Sequence, residues 1–273
     1  MNDSSVFQRA AWLVALAIAS AAPASAQSAA RGLEGMWSDP PVTIMGRLCA
    51  FACSDAGINA MNALLDDPAN DAVPFATLQR RAVERHTEYV RSTLSELTLK
   101  TFPLDPADDP SFLRCEPWGL PTQMLAPHQL EIRGVGADRL ELHYGEWDAR
   151  RTVFMDGRPH PRGQAPTRLG HSVGRWDGET LVIETVGIAR SLIWAGGVTV
   201  TAGGFETSDQ LTVTERFVKA ADGKTLTLTA TLTDPVSLRA PLVLKHVWRW
   251  APESKITPYE DCQIPTEVKR GVK

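Results

Sequence analysis

The feature that most constrains this chain is a series of short apolar–polar alternations, each closed by a turn signal, from Gln129 to Cys262. The segments are Gln129–Val135, Arg139–Tyr144, Arg151–Met155, Ser172–Trp176, Thr180–Val186, Gln210–Lys219, Thr225–Thr233, Leu242–Trp250 and Thr257–Cys262. Gly136-Ala137-Asp138, Asp156-Gly157, Asp177-Gly178 and Asp222-Gly223 punctuate them. Asp-Gly between alternating segments is a hairpin signal, because glycine takes the positive φ that such turns need. No helical pattern intervenes, so an antiparallel meander is expected. Closing the sheet removes its exposed edges. The expected fold is therefore mainly β: an antiparallel up-and-down barrel of lipocalin-like shape over residues 113–265, with an N-terminal helical segment. An open twisted sheet or a sandwich is the alternative.

Residues 1–26 read as a cleavable signal peptide. Arg9 is followed by an apolar run from Ala10 to Ala22, Pro23 breaks it, and Ala24-Ser25-Ala26 forms an A-x-A cleavage site. The run is short of the ~20 apolar residues that span a bilayer. An exported protein with no transmembrane segment in the mature chain is expected. Residues 27–112 form a mostly helical segment, and 266–273 a basic tail. Ser54 and Asp55 can cap a helix over Ala56–Leu65, and a second helix runs from Pro74 to Leu97. Its apolar stripe is Phe75, Leu78, Ala82, Tyr89, Thr93 and Leu97, with His86 at the boundary. Phe102–Pro121, rich in Pro and Asp, is expected to be irregular.

Four cysteines fit two disulfides in an oxidising compartment. Of the three connectivities, Cys49–Cys53 with Cys115–Cys262 is favoured, the second as a staple across the β region. Cys49 and Cys53 lack the histidine spacing of a zinc site, so no metal is expected. A net charge of −4 argues against nucleic acid, which requires a basic face.

Alternation assigns faces. Leu211, Val213 and Phe217 share a phase with Glu215; Leu226, Leu228, Ala230 and Leu232 share one with Asp234; Leu242, Leu244, Trp248 and Trp250 share one with His246. Three neighbouring strands thus each direct one ionisable group inward. A buried charge must be paired. Either these groups form a satisfied network or they line a cavity, where a carboxylate beside an imidazole equips a site for proton transfer. Trp248 and Trp250 would wall that cavity. Glu141 and His143 fall on the opposite phase from Leu140, Leu142 and Tyr144, which places His143 in solvent.

Between two of the strands lie Met155-Asp156-Gly157-Arg158-Pro159-His160-Pro161 and Gly170-His171-Ser172-Val173-Gly174-Arg175-Trp176. Prolines on both sides of His160 restrict its backbone. His160 and His171 have no recognised metal spacing. His171-Ser172 is a poor nucleophile pair, because adjacent strand residues point to opposite faces and no G-x-S-x-G elbow is present. An Asp156–Arg158 ion pair fixing the turn, with His171 bonded to backbone, is the structural alternative.

These motifs, with Leu211–Phe217 (LTVTERF) and Leu232–Pro235 (LTDP), resemble a family of uncharacterised bacterial secreted proteins. Its members carry D-G-R-x-H-P, G-H-S-x-G-x-W, T-E-R-F and D-P in this order. The resemblance covers roughly Cys115 to Cys262 and includes C-x-P-x-G-x-P at Cys115–Pro121. It implies that Asp156, Arg158, His160, His171, Trp176, Glu215, Arg216 and Asp234 are the motif positions. The likeness lapses after Trp194, where relatives carry W-L-D and a His-Ser pair and this chain has Ala195-Gly196-Gly197.

Three functions follow. The first is a barrel holding a small apolar or aromatic molecule, with a lean toward a cofactor-free lyase, hydratase or isomerase. There Glu215 or Asp234 is the base, His246 or His171 the acid, and Arg158 the anchor for a developing anion. Asp156, His160, Trp176, Trp194, Trp248 and Trp250 would contact the ligand. The second is a non-catalytic periplasmic binder. The third is a structural envelope protein with a filled barrel. No organic cofactor is implied, and the oligomeric state is open.

Overall fold

The computed structural model describes residues 30–38, 54–104, 116–194 and 204–257. The signal-peptide region and all four cysteines, Cys49, Cys53, Cys115 and Cys262, lie outside the described residues. So does nearly all of the segment expected as a strand at Thr257–Cys262.

The chain forms a closed nine-stranded barrel, as the alternation predicts. Its strands are β1 (Gly35–Ser38), β2 (Leu130–Val135), β3 (Arg139–Tyr144), β4 (Ala149–Phe154), β5 (His171–Asp177), β6 (Thr180–Val186), β9 (Thr212–Lys219), β10 (Thr225–Thr233) and β11 (Leu242–Trp250). They run round the wall in the order β1-β11-β10-β9-β6-β5-β4-β3-β2, and β1 closes the ring by pairing with both β2 and β11. A separate ribbon, β7 (Leu192–Trp194) with β8 (Gly204–Glu206), interrupts the path from β6 to β9.

One pairing departs from the antiparallel expectation. β4 and β5 run parallel, with Val153 opposite Ser172 and Phe154 opposite Val173. The connection between them, residues 155–170, is too long for a hairpin and carries Pro159, Pro161 and Pro166. Parallel neighbours need such a crossover. Gly170 delivers the chain into β5 at φ +66°, where a Cβ would stand 2.6 Å from the Val186 carbonyl oxygen. Only glycine accepts that position.

The helices are α1 (Asp55–Asp66), α2 (Phe75–Thr93), α3 (Glu96–Leu99) and α4 (Leu120–Leu125). Ser54 caps α1 by accepting from the Gly57 amide, and its hydroxyl pairs with His86 Nδ1 at 2.8 Å. His86 is thereby a packing residue that locks α2 to the start of α1. The second helix ends sooner than its stripe suggests, because Leu94 bridges to Leu238 and Ser95 caps a new turn. Leu97 is consequently exposed. The Tyr89 hydroxyl accepts from the Val243 amide and fastens α2 to the barrel wall. α4 begins in the last two residues of the stretch expected to be irregular, Phe102–Pro121, and runs on past it. All six of its residues are buried, and Leu120, Met124 and Leu125 join the barrel core. No helix among the described residues is long and apolar enough to cross a membrane.

Candidate functional site

The interior follows the expected phase. Glu215 faces inward opposite Ala230, and Phe217, Leu228 and His246 form one row across three strands. Along these walls Val213, Phe217, Leu226, Leu228, Leu232, Leu242 and Leu244 are fully buried.

Glu215 is committed within this core. It takes a two-pronged bond from Arg151 on β4, with Nη1 to Oε2 at 2.7 Å and Nη2 to Oε1 at 2.8 Å. The two strands are not neighbours, so the pair reaches across the barrel. Both side chains are essentially sealed, 2% and 0% exposed. Burial alone would lower the Arg151 pKa, but the Glu215 charge and hydrogen bonds more than offset it and hold the guanidinium protonated. The Tyr144 ring lies beside it, Arg151 Cζ 5.8 Å from the ring centroid, and burial pushes the phenol pKa upward.

The four residues expected to act together are not gathered at one point: Asp234 lies beyond the end of β10 and His171 on the outer wall. His246 packs its ring 4.2 Å from that of Trp248 inside the barrel. Asp234 sits just beyond β10 and accepts from the Ser208 amide and hydroxyl, both at 2.7 Å, and from the amides of Val236 and Ser237. Burial raises its pKa, but these donors outweigh burial and hold the carboxyl below its ordinary value. It pins two loops together. His171 lies on the outside of the wall, because strand alternation turns Ser172 inward and His171 outward.

The tryptophans also separate. Trp248 is buried, donates to the His128 carbonyl at 3.1 Å and stacks on Phe217. Trp250 is partly exposed, edge-on to Trp37. Trp176 lines a separate groove of about 510 Å³ with Lys219 and Arg31, whose Cζ is 5.4 Å from the indole centroid. Trp194 pairs through its backbone with Gly204.

The outer wall does gather motif residues. The loop after β4 folds back on β5 so that His160 Nδ1 lies 2.9 Å from His171 Nδ1, the rings nearly perpendicular at 79°. His171 stacks on Phe154 at 5.1 Å, and the Arg158 guanidinium covers the other side of the cluster, 3.9 Å from the Phe154 centroid. Arg158 is held by Asp156 through Nε and Nη2 at 2.5–3.0 Å, which depresses the Asp156 carboxyl to about 2. The expected ion pair is therefore present. Partial burial, then the neighbouring His160 and Arg158, push the His171 pKa down. His160 Nε2 is buried, makes no hydrogen bond, and faces Glu184 Oε1 at 3.3 Å. The cluster borders a groove of about 380 Å³ whose floor is Val173, Gly174, Val182 and Thr214 and whose rim is Arg158, Pro159, His160, Arg175 and Glu184.

Sequence reasoning missed Arg151, Glu184 and Phe154. Arg151 was legible in part: it shares the phase of Val153 and so points inward. His143 is a correction. It faces outward, yet it is only 4% exposed, because Asp148 (2.5 Å from Nε2) and Glu131 (3.4 Å from Nδ1) close over it. Asp148 belongs to a turn in which Trp147 and Asp148 both take positive φ, 58° and 49°. That conformation is strained for non-glycine residues. The same turn pairs Glu146 with His128. Gly145 opens the turn in ordinary αR backbone, but no glycine, Asn-Gly or Asp-Gly stands at the two positive-φ positions.

No protein-family model, curated protein or solved structure matches the chain.

Proposed function

We propose that this is an exported β-barrel protein that binds a small molecule in the outer groove beside His160 and His171, with the barrel interior serving as a structural core. The observation that carries this reading is the convergence of separated motif residues: Arg158 and His160 line one groove edge, braced from behind by Asp156 and His171. Val173 and Val182 offer an apolar floor and the rim offers charged and imidazole groups. That combination suits a ligand with an apolar or aromatic body and one polar end. Acid–base chemistry at Glu215 or Asp234 fits less well, since one carboxylate is locked to Arg151 and the other is consumed by backbone donors. Export rests on the leader-like first 26 residues, and the four cysteines suit an oxidising compartment. Membership of the secreted family rests on the motif series alone.

A structural envelope role is the second reading. The sealed interior favours it.

The test is native mass spectrometry of protein purified from its host, wild type against Thr214→Trp, which fills the groove floor from the outer face. A small-molecule adduct on wild type and its loss from Thr214→Trp are expected. An adduct that survives Thr214→Trp, or apo protein that shows no thermal shift across a broad metabolite panel, contradicts the groove and leaves the structural role.

A further inference from the structure

From the distance and orientation of two imidazoles we infer that His160 and His171 form a site for a divalent transition-metal ion of tetragonal preference, copper(II) foremost. The site goes beyond the groove proposal and does not depend on what the groove binds.

Two Nδ1 atoms 2.9 Å apart can share one proton, or they can be adjacent ligands of one metal. With metal–nitrogen bonds near 2.0–2.1 Å, two ligands at a right angle stand about 2.9 Å apart, and two at a tetrahedral angle about 3.3 Å apart. The observed separation falls within the range of adjacent ligands of one ion, and copper(II) is the foremost occupant because it binds imidazole most tightly among the first-row divalent ions.

The surroundings suit ligation. His160 sits between Pro159 and Pro161, and His171 is held flat against Phe154, so both rings are fixed before any ion arrives. His160 Nε2 is buried without a hydrogen bond and faces Glu184. A ligating histidine commonly donates its second N–H to a carboxylate, and Glu184 stands within reach of that role. On binding, the proton shared between the two Nδ1 atoms leaves and a proton from solvent settles on Nε2 of the ring that carried it, so that both imidazoles ligate neutral, each protonated at Nε2; that of His160 faces Glu184. Asp156 holds the nearby Arg158 in an ion pair, which reduces the repulsion it exerts on a cation.

No group of three or more His, Cys, Asp or Glu side chains able to hold a metal occurs among the described residues. Two protein ligands thus leave the other positions to water or to a donor atom of a groove ligand. An exchangeable ion is expected rather than a structural one.

The experiment is copper(II) titration of the full chain, stripped with chelator, read by electron paramagnetic resonance. One copper per chain with two coordinated imidazole nitrogens is expected. His160→Ala and His171→Ala should each weaken binding at least about tenfold, and Glu184→Gln, which keeps both ligands and the fold, about tenfold. His128→Ala should change nothing. Copper affinity equal in wild type and in the His160→Ala/His171→Ala double variant, or a signal with fewer than two imidazoles, overturns the site. Neither result touches the organic adduct that tests the groove.

Discussion

Asp234 shows how one side chain can look functional in sequence and act as a fastener in the fold. Its carboxylate collects four donors from two loops, and these hold its pKa below the unfolded value of about 3.9. A depressed carboxyl stabilises the fold above its unfolded pKa, and that contribution disappears as pH falls through the folded value. Stability should therefore decline with acid below about pH 4. In Asp234→Asn that acid limb should flatten, while stability at neutral pH drops by about 2 kcal/mol from weakened hydrogen bonds. Urea unfolding across pH 2–7 reads both effects; an unchanged acid limb would show that the donors do not act on the ionised form. The inward phase of Glu215 and His246 was legible from alternation alone. The partner of Glu215 was not, because Arg151 lies three strands away round the wall and only closure of the barrel brings it across.

At the scale of elements, the parallel β4–β5 pairing creates the outer cluster. A hairpin there would have left His160 at a turn tip; the 155–170 crossover instead returns it to the first residue of β5. Gly170 is the pivot. Gly170→Ala would force a Cβ against the Val186 carbonyl in left-handed backbone, at a cost of at least about 1–2 kcal/mol. The expected result is a lower melting temperature together with lost contact between His160 and His171, seen as loss of the ring-to-ring nuclear Overhauser effect. A ring contact that persists in Gly170→Ala would mean that the pair does not depend on the crossover. The sequence announced the two histidine motifs and the rigid prolines, but not their meeting, since parallel addition is set by the wall order and not by local pattern. Helix α4 escaped notice for a similar reason: it is six residues long, begins next to Pro121, and forms by burial rather than by propensity.

For the whole molecule, the barrel is a closed wall around buried apolar side chains, with the His160–His171 cluster on its outside. A polar pair at the centre of such a core is tolerable because each Glu215 oxygen has its own Arg151 nitrogen, only Arg151 Nε being left over. The most direct test of this division is the unfolding free energy of Glu215→Ala in urea. If the carboxylate is a structural counter-ion, its removal leaves Arg151 charged and buried alone and costs about 3–5 kcal/mol. Stability equal to or above wild type would contradict the account, for that is how a carboxylate held in the barrel for function would behave when removed.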